Sequence, residues 1–110
     1  MNILVLGGYG FFGSRIVRLL AREAGLTVII AGRDRAQAEA LKAQLSQNSA
    51  DYPARVQALR LDVQSADFPG QLAELGPAVV IHTCGPFQGQ DYAVARACID
   101  AGCHYIDLAD

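Results

Sequence analysis

The sequence predicts a doubly wound α/β domain, in which one parallel sheet of five strands carries helices on both faces. Two observations lead to this fold class. Short apolar runs alternate along the chain with segments whose apolar residues recur at helical spacing. The 110 residues are 52% hydrophobic and 18% charged, so we expect a single domain with a buried core and no extensive disorder. Strands that alternate with helices pair in parallel through right-handed crossovers.

The first half of the chain is expected to form three strands and two helices. In order, these are a strand at 3–6, a helix at 12–24 that ends at Gly25, a strand at 27–31, a helix at about 35–47 and a strand at 56–63. The apolar residues expected to face the sheet are Phe12, Ile16, Leu19 and Leu20 in the first helix, and Ala38, Leu41 and Leu45 in the second.

The second half continues the alternation. Phe68, Leu72 and Leu75 indicate a short helix, and Pro69 is acceptable there only in the first turn. The remaining predicted elements are a strand at 78–83, a helix at about 91–101 that Gly102 closes, and a strand at 104–108.

The composition of the strands also predicts their order. The first, second and fourth strands are continuously apolar, as expected when helices cover both faces of a sheet. The third strand alternates apolar and charged residues, for example Leu59, Arg60, Leu61 and Asp62, which is typical of an edge. The order 3-2-1-4-5 places the third strand at that edge.

A glycine-rich turn follows the first strand and opens the first helix. The segment Gly7-Gly8-Tyr9-Gly10-Phe11-Phe12-Gly13 contains G-x-G-x-x-G at positions 8, 10 and 13. Glycines there permit a sharp turn, close approach of backbone N–H groups to a pyrophosphate, and close packing of helix on strand. The pattern predicts a Rossmann-type dinucleotide site at the helix N-terminus. A tight turn without a ligand is the alternative; a Walker A loop is excluded because no Gly-Lys-Ser/Thr follows.

The residues after the second strand bear on which dinucleotide is bound. This position, about 20 residues past the last glycine of the motif, faces the adenosine ribose. An acidic residue there favours NAD, whereas this chain has Arg33 followed by Asp34. A guanidinium can pair with a 2′-phosphate and stack on adenine, so we expect NADP(H) to be preferred. The alternative is a solvated Arg33, with Asp34 binding the ribose of NAD.

Two further segments are expected at the ligand-binding edge of the sheet. Asp62 and Val63 end the third strand and are candidates to flank the adenine, although an ordinary strand-to-loop junction explains them equally well. Cys84-Gly85-Pro86-Phe87 follows the fourth strand and is expected beside the nicotinamide ribose. Cys84 has no recognisable dyad partner, and His82 lies within the strand, so we interpret Cys84 as a small buried residue.

Composition excludes several other classes of protein. The formal net charge of −2 gives no reason to expect a nucleic-acid partner, and no apolar run is long enough for a membrane span. The three cysteines form neither a C-x-x-C pair nor a metal-ligand pattern, and no signal peptide is indicated. We therefore expect a cytoplasmic protein that binds neither metal nor membrane. Tyr92 is followed by Arg96 rather than lysine, so the Tyr-x-x-x-Lys pair of short-chain dehydrogenases is absent.

Four segments together resemble the N-terminal NAD(P)-binding domain of the saccharopine dehydrogenase-like family, over nearly the whole chain. They are the glycine turn at 7–13, Ala31-Gly32-Arg33-Asp34, Cys84-Gly85-Pro86-Phe87 and the segment from Ala97 to Asp107. His82 departs from the asparagine-like residue expected at its position. The resemblance implies hydride transfer between a nicotinamide and a substrate, at a CH–NH or related carbonyl or imine carbon.

The resemblance also implies a longer protein. In that family a second, C-terminal domain supplies most contacts to the small-molecule substrate and often the dimer interface, so residues 1–110 are expected to be the cofactor domain. Whether this chain dimerises is left open, and its catalytic residues are not identified. Two alternatives also stay open: an NADP(H)-sensing regulator without turnover, and a fragment of a short-chain reductase or epimerase.

Overall fold

The structure of the protein, a computed structural model, describes residues 1–83 and 91–107, with Asp91 and Tyr92 described by their backbone alone. Strands and helices alternate along the chain as the sequence predicts. In chain order they are β1 (Asn2–Leu6), α1 (Phe11–Leu20), β2 (Thr27–Gly32), α2 (Arg35–Ser46), β3 (Arg55–Arg60), α3 (Phe68–Leu75), β4 (Val79–His82), α4 (Asp91–Ala101) and β5 (His104–Asp107). Within the described ranges, no helix has the length and apolar character that a membrane span needs.

The strands form one parallel sheet in the order β3-β2-β1-β4-β5, which confirms the predicted order. β1 lies at the centre, with β2 on one side and β4 on the other. The chain runs from β1 outward to β3 on one side and then returns to form β4 and β5 on the other, so the strand order reverses between β1 and β4. In a parallel sheet all carboxyl ends meet at one edge, which here is formed by the ends of β1 to β5; ligands of doubly wound sheets lie over this edge.

Two cores lie on opposite faces of the sheet, so the helices cover both faces. One core includes Val5, Val17 and Leu45, and thus lies beneath α1 and α2. The other includes Leu72 and Cys98, and lies beneath α3 and α4. Alternate residues of the central strands contribute to one core or the other because successive side chains of a strand point to opposite faces.

Helix α1 corrects two details of the prediction. It starts at Phe11 and ends at Leu20, so Gly25 lies beyond its end. The face toward the sheet is formed by Gly13 and Val17, whereas Phe12 and Leu19 are 65% and 63% exposed. Each residue turns a helix by about 100°, so burying residues 13 and 17 necessarily carries 12 and 19 outward. The helix is oriented by the close approach of its smallest residue, not by its largest apolar ones.

Strand β3 also ends earlier than predicted, at Arg60, so Asp62 and Val63 lie in the following turn. The turn forms because the Asp62 carboxylate accepts a hydrogen bond from the Gln64 N–H at 2.9 Å, while the Asp62 carbonyl accepts one from Ser65. The other bounds agree with the prediction to within a residue or two. Gly102 follows α4 with a φ of 78°, the left-handed conformation expected of a C-terminal cap.

The burial pattern of α1 predicts opposite outcomes for two substitutions in the same helix. Val17→Ala should lower the free energy of unfolding by about 1–3 kcal/mol, because it removes two methyl groups from a fully buried site. Leu19→Ala should change it by less than about 0.5 kcal/mol, because that side chain lies mostly in solvent. Urea denaturation measures both. A larger loss for Leu19→Ala would contradict the orientation of α1 described above.

Candidate functional site

The glycine turn leaves β1 and enters α1 at the carboxyl edge of the sheet. Gly7 has a φ of 79°, a left-handed conformation that favours glycine, and its carbonyl accepts a hydrogen bond from the Gly10 N–H at 2.9 Å. A Cβ at Gly13 would collide with the Gly7 backbone, so the first turn of α1 packs directly on the turn that precedes it. A Cβ at Gly10 would lie 3.2 Å from the same carbonyl oxygen.

The N-terminus of α1 has no side-chain cap among the described residues. Gly10 is the N-cap residue, and the first turn of the helix contains no acidic residue. The first backbone N–H groups of a helix have no partner within the helix, and they carry its positive dipole end. A glycine turn that clears space in front of such an end is suited to a pyrophosphate, so the residues here fit a dinucleotide.

Thr83 supports this turn from the neighbouring strand, a role that the motif does not reveal. Its hydroxyl donates a hydrogen bond of 2.7 Å to the Leu6 carbonyl, at the end of β1. The hydroxyl oxygen of Thr83 lies 2.8 Å from the position that a Cβ of Gly13 would take. Thr83 therefore closes the space behind α1. A small hydroxyl residue directly after the strand at the reversal point is the only sequence signal for it.

The end of α2 nearest the site is capped in a different way from α1. Both oxygens of Asp34 are engaged by Gln37: Oδ1 accepts from its backbone N–H at 3.2 Å, and Oδ2 from its side-chain amide at 2.9 Å. The hydrogen bonds from the side chain and backbone of Gln37 hold the pKa of the Asp34 carboxyl below its usual 3.8. Asp34 is thus the N-cap of α2, a role that the spacing Asp-x-x-Gln could have predicted.

Arg33 lies one residue earlier, exposed just beyond the end of β2. Its guanidinium makes no hydrogen bond or ion pair with the part of the chain that the structure describes. Arg60 adds a second exposed cation at this edge, because it ends β3 in register with Gly32, the last residue of β2. The sequence pattern gives no function to Arg60 beyond that of an outward residue on an edge strand.

Tyr9 spans from the glycine turn to the end of β2. Its hydroxyl oxygen accepts a hydrogen bond of 3.0 Å from the Asp34 N–H. Its ring covers Gly32 so closely that a Cβ there would lie 2.5 Å from the phenol oxygen. The structure therefore joins the segment predicted to hold pyrophosphate to the segment predicted to hold the ribose, through one side chain.

The positions of the remaining predicted site residues give less information about how a ligand would be bound. Asp62 and Val63 are half-buried in the turn after β3, and Val63 packs against the core beneath α3 and α4. Phe11 and Phe12 are exposed at the start of α1, where the Arg15 guanidinium lies 5.0 Å from the Phe11 ring centroid. Cys84, Gly85, Pro86 and Phe87 lie outside the described residues.

A partly buried chain of polar side chains occupies the carboxyl ends of β4 and β5. His82 is 2% exposed, and its Nδ1 lies 3.0 Å from the Tyr105 hydroxyl, which donates to Asp107 at 3.3 Å. If the hydroxyl hydrogen goes to Asp107, the tyrosine oxygen accepts the Nδ1 hydrogen of His82. This pairing gives the buried histidine a polar partner at a position where the family resemblance implies an asparagine-like residue.

The described cysteines have the character of core residues. Cys98 lies on the buried face of α4, fully buried, and burial raises the pKa of its thiol to about 11. Burial also raises the pKa of Cys103. A thiol with a raised pKa is a poor nucleophile at neutral pH. Residues 1–83 and 91–107 contain no group of histidine, cysteine or acidic side chains that could hold a metal ion.

Comparison with known protein families identifies the family of this chain. The model of the saccharopine dehydrogenase NADP binding domain matches residues 3–110, almost the whole chain. The chain belongs to that family. This match confirms the resemblance seen in the sequence. A domain that binds a nicotinamide dinucleotide is also consistent with the glycine turn at the N-terminus of α1. No protein of curated function matches the chain.

Solved structures share the fold of this family member. Saccharopine dehydrogenase (L-Glu forming) from Saccharomyces cerevisiae superposes with a TM-score of 0.71 at 24% identity, covering 96% of this chain but 21% of that protein. A short-chain dehydrogenase from Sphingobium yanoikuyae, solved in complex with NADPH, gives 0.68 at 17% identity, covering 96% and 52%. A UDP-Glc/GlcNAc 4-epimerase from Campylobacter jejuni gives 0.74 at 12% identity, covering 96% and 36%. This chain therefore spans only part of the length of each.

The capping role of Asp34 predicts a specific pH dependence. Because its pKa is lower in the folded state, its carboxylate stabilises the fold above the unfolded value of 3.8. That stabilisation is lost as the pH falls through the folded pKa. Wild type should be more stable than Asp34→Asn at neutral pH, and the difference should shrink in acid. Urea denaturation from neutral to acidic pH measures the difference in the free energy of unfolding. Asp51→Asn is the control, because the carboxylate of Asp51 caps no helix. A difference that does not vary with pH would contradict the role.

Proposed function

We propose that this domain binds NADP(H) for a longer oxidoreductase, which transfers hydride between the nicotinamide and a small-molecule substrate. The reacting carbon would be of the CH–NH type, or a related carbonyl or imine carbon, as the family resemblance implies. The observation that carries the cofactor preference is the contrast between two neighbours: Asp34 caps α2, while the exposed Arg33 makes no hydrogen bond or ion pair with residues 1–83 and 91–107.

The pyrophosphate would be held by the glycine turn. Gly8 and Gly13 allow the turn to pack closely, because a Cβ at Gly8 would lie 3.1 Å from Ile30 in the core and one at Gly13 would meet the Gly7 backbone. Gly10 is the N-cap of α1 and brings no side chain to the helix end, which no described side chain caps. Phosphate oxygens accept from the first N–H groups of a helix and interact favourably with the helix dipole. The turn contributes geometry rather than charge, which suits a chain whose net charge is negative. The backbone of Tyr9, Phe11 and Phe12 belongs to the same turn.

The 2′-phosphate would be bound by Arg33. A phosphate dianion forms bidentate, charge-assisted hydrogen bonds with a guanidinium, whereas the 2′-hydroxyl of NAD(H) offers no such partner. The alternative, ribose binding by Asp34, would use the acceptor sites that the two bonds to Gln37 leave open on the carboxylate, and it would not account for the exposed guanidinium beside it. Arg60 adds positive charge at the same edge and has the same preference for phosphate.

The rest of the cofactor would extend over the carboxyl ends of β1 and β4. When bound, the nicotinamide ring supplies or accepts the hydride; the protein binds and orients it. Asp62 and Val63 would flank the adenine, and Cys84, Gly85, Pro86 and Phe87 the nicotinamide ribose. The groups that bind substrate and move protons would come from a further domain, C-terminal to this one.

Cofactor preference is tested on this chain by titrating it with NADPH and NADH. Wild type should bind NADPH more tightly, and Arg33→Ala should remove most of the difference, lowering NADPH affinity by roughly 10- to 100-fold. Calorimetry measures both affinities. Arg55→Ala is the matched control, since Arg55 is an exposed arginine at the opposite end of β3. Equal affinities in wild type would contradict the NADP(H) assignment.

The glycine turn is tested by Gly10→Val. The added side chain would enter the space in front of α1, so binding of both dinucleotides should be abolished while the helical circular dichroism is retained. Gly25→Ala is the control, because nothing lies within 4 Å of a Cβ at that residue. NMR shifts on titration to millimolar dinucleotide provide the measurement. Unchanged binding by a folded Gly10→Val would mean that the turn does not hold the pyrophosphate.

A further inference from the structure

Tyr9 is the residue through which the two halves of the site touch. We infer that it is a specificity-determining positioning residue, which sets the preference for the 2′-phosphate by fixing the backbone on which Arg33 stands. This inference rests on the proposed binding of NADP(H). The glycine motif does not specify a tyrosine at this position, because the motif constrains only the glycines that set the backbone geometry.

The first step is the contact between Tyr9 and Gly32. A Cβ at Gly32 would lie 2.5 Å from both Cε2 and the hydroxyl oxygen of Tyr9, and 2.7 Å from Cζ. The ring thus occupies the space that any other side chain at the end of β2 would need. Gly32 is itself buried and held in the sheet, where its carbonyl accepts a hydrogen bond of 2.8 Å from Leu61.

The second step is the hydrogen bond from the Asp34 N–H to the Tyr9 hydroxyl, 3.0 Å long. Together with the sheet bonds of Gly32, it fixes the chain on both sides of Arg33. Only one residue lies between the two fixed points, so the backbone of Arg33 and the direction of its Cα–Cβ bond are restricted. Ordering this backbone before binding lowers the entropy lost when the guanidinium pairs with a phosphate.

A purely structural role for Tyr9 makes a different prediction. Its ring packs against the core beneath α1 and α2, so its removal would weaken the fold and both cofactors alike. A positioning role instead requires that loss of the hydroxyl alone affects NADPH more than NADH. It also requires that this effect depends on Arg33, because the hydroxyl acts through the backbone of that residue.

The test is a double-mutant cycle with Tyr9→Phe and Arg33→Ala in this chain, titrated with NADPH and NADH by calorimetry. Tyr9→Phe should lower NADPH affinity by roughly three- to tenfold and NADH affinity by less than about twofold. In the Arg33→Ala background the same substitution should change either affinity by less than about twofold. Tyr52→Phe is the matched control, since Tyr52 is also half-buried against the same core but lies at the opposite edge of the sheet.

A second measurement needs no cofactor. Hydrogen exchange of the Asp34 amide should accelerate roughly three- to tenfold in Tyr9→Phe, because its acceptor is gone, while the amides of β2 exchange as in wild type. The Asp34 amide reports the hydrogen bond to Tyr9 independently of cofactor binding, and the β2 amides would detect a general loss of stability.

The outcomes distinguish this inference from the proposed function. If wild type prefers NADPH and Tyr9→Phe keeps the full preference, the inference fails and the proposed function stands. Additive effects of the two substitutions, or equal losses for both cofactors, would also overturn it. If wild type shows no preference for NADPH, both fail. A reduced preference that disappears in the Arg33→Ala background supports both.

Discussion

The rest of the site depends on the close packing of the first turn of α1 against the end of β1. Gly13 makes it possible, since a Cβ there would meet the backbone of Gly7 and the hydroxyl of Thr83. The same approach fixes the rotation of the helix, which buries Val17 and leaves Phe12 and Leu19 in solvent. It also places the N-terminus of α1, which no described side chain caps, next to the end of β1, so one steric constraint orients the helix and positions its first N–H groups.

Most of the fold follows from sequence patterns because its rules are local or topological. Alternating strands and helices imply a parallel sheet, and the mixed composition of β3 places that strand at the edge. The face of α1 was not predictable in the same way. Counting apolar residues favours Phe12 and Leu19, but a glycine has no hydrophobicity to count, and here the glycine decides which face approaches the sheet.

The site divides along similar lines. The positions of the glycine turn and of Arg33 at the carboxyl edge of the sheet could be predicted because each lies at a fixed distance from a strand end. The contacts of Tyr9 with Gly32 and of Thr83 with Gly13 join positions distant in the chain, so no spacing rule reveals them. The cap at Asp34 is different: its spacing to Gln37 is visible in the sequence, but an acidic residue after β2 can also bind a ribose, and only the structure shows that this one caps α2.

The separate use of Arg33 and Asp34 has a consequence for how such domains diverge. Asp34 contributes to folding through α2, so a change there would disturb a helix as well as a binding site. Arg33 is exposed and makes no hydrogen bond or ion pair with the described part of the chain, so we expect its replacement to leave the fold intact. If Arg33 binds the 2′-phosphate as proposed, a substitution there would change ligand preference while the cap at the next residue still stabilises the fold, so the two neighbours would be under different constraints.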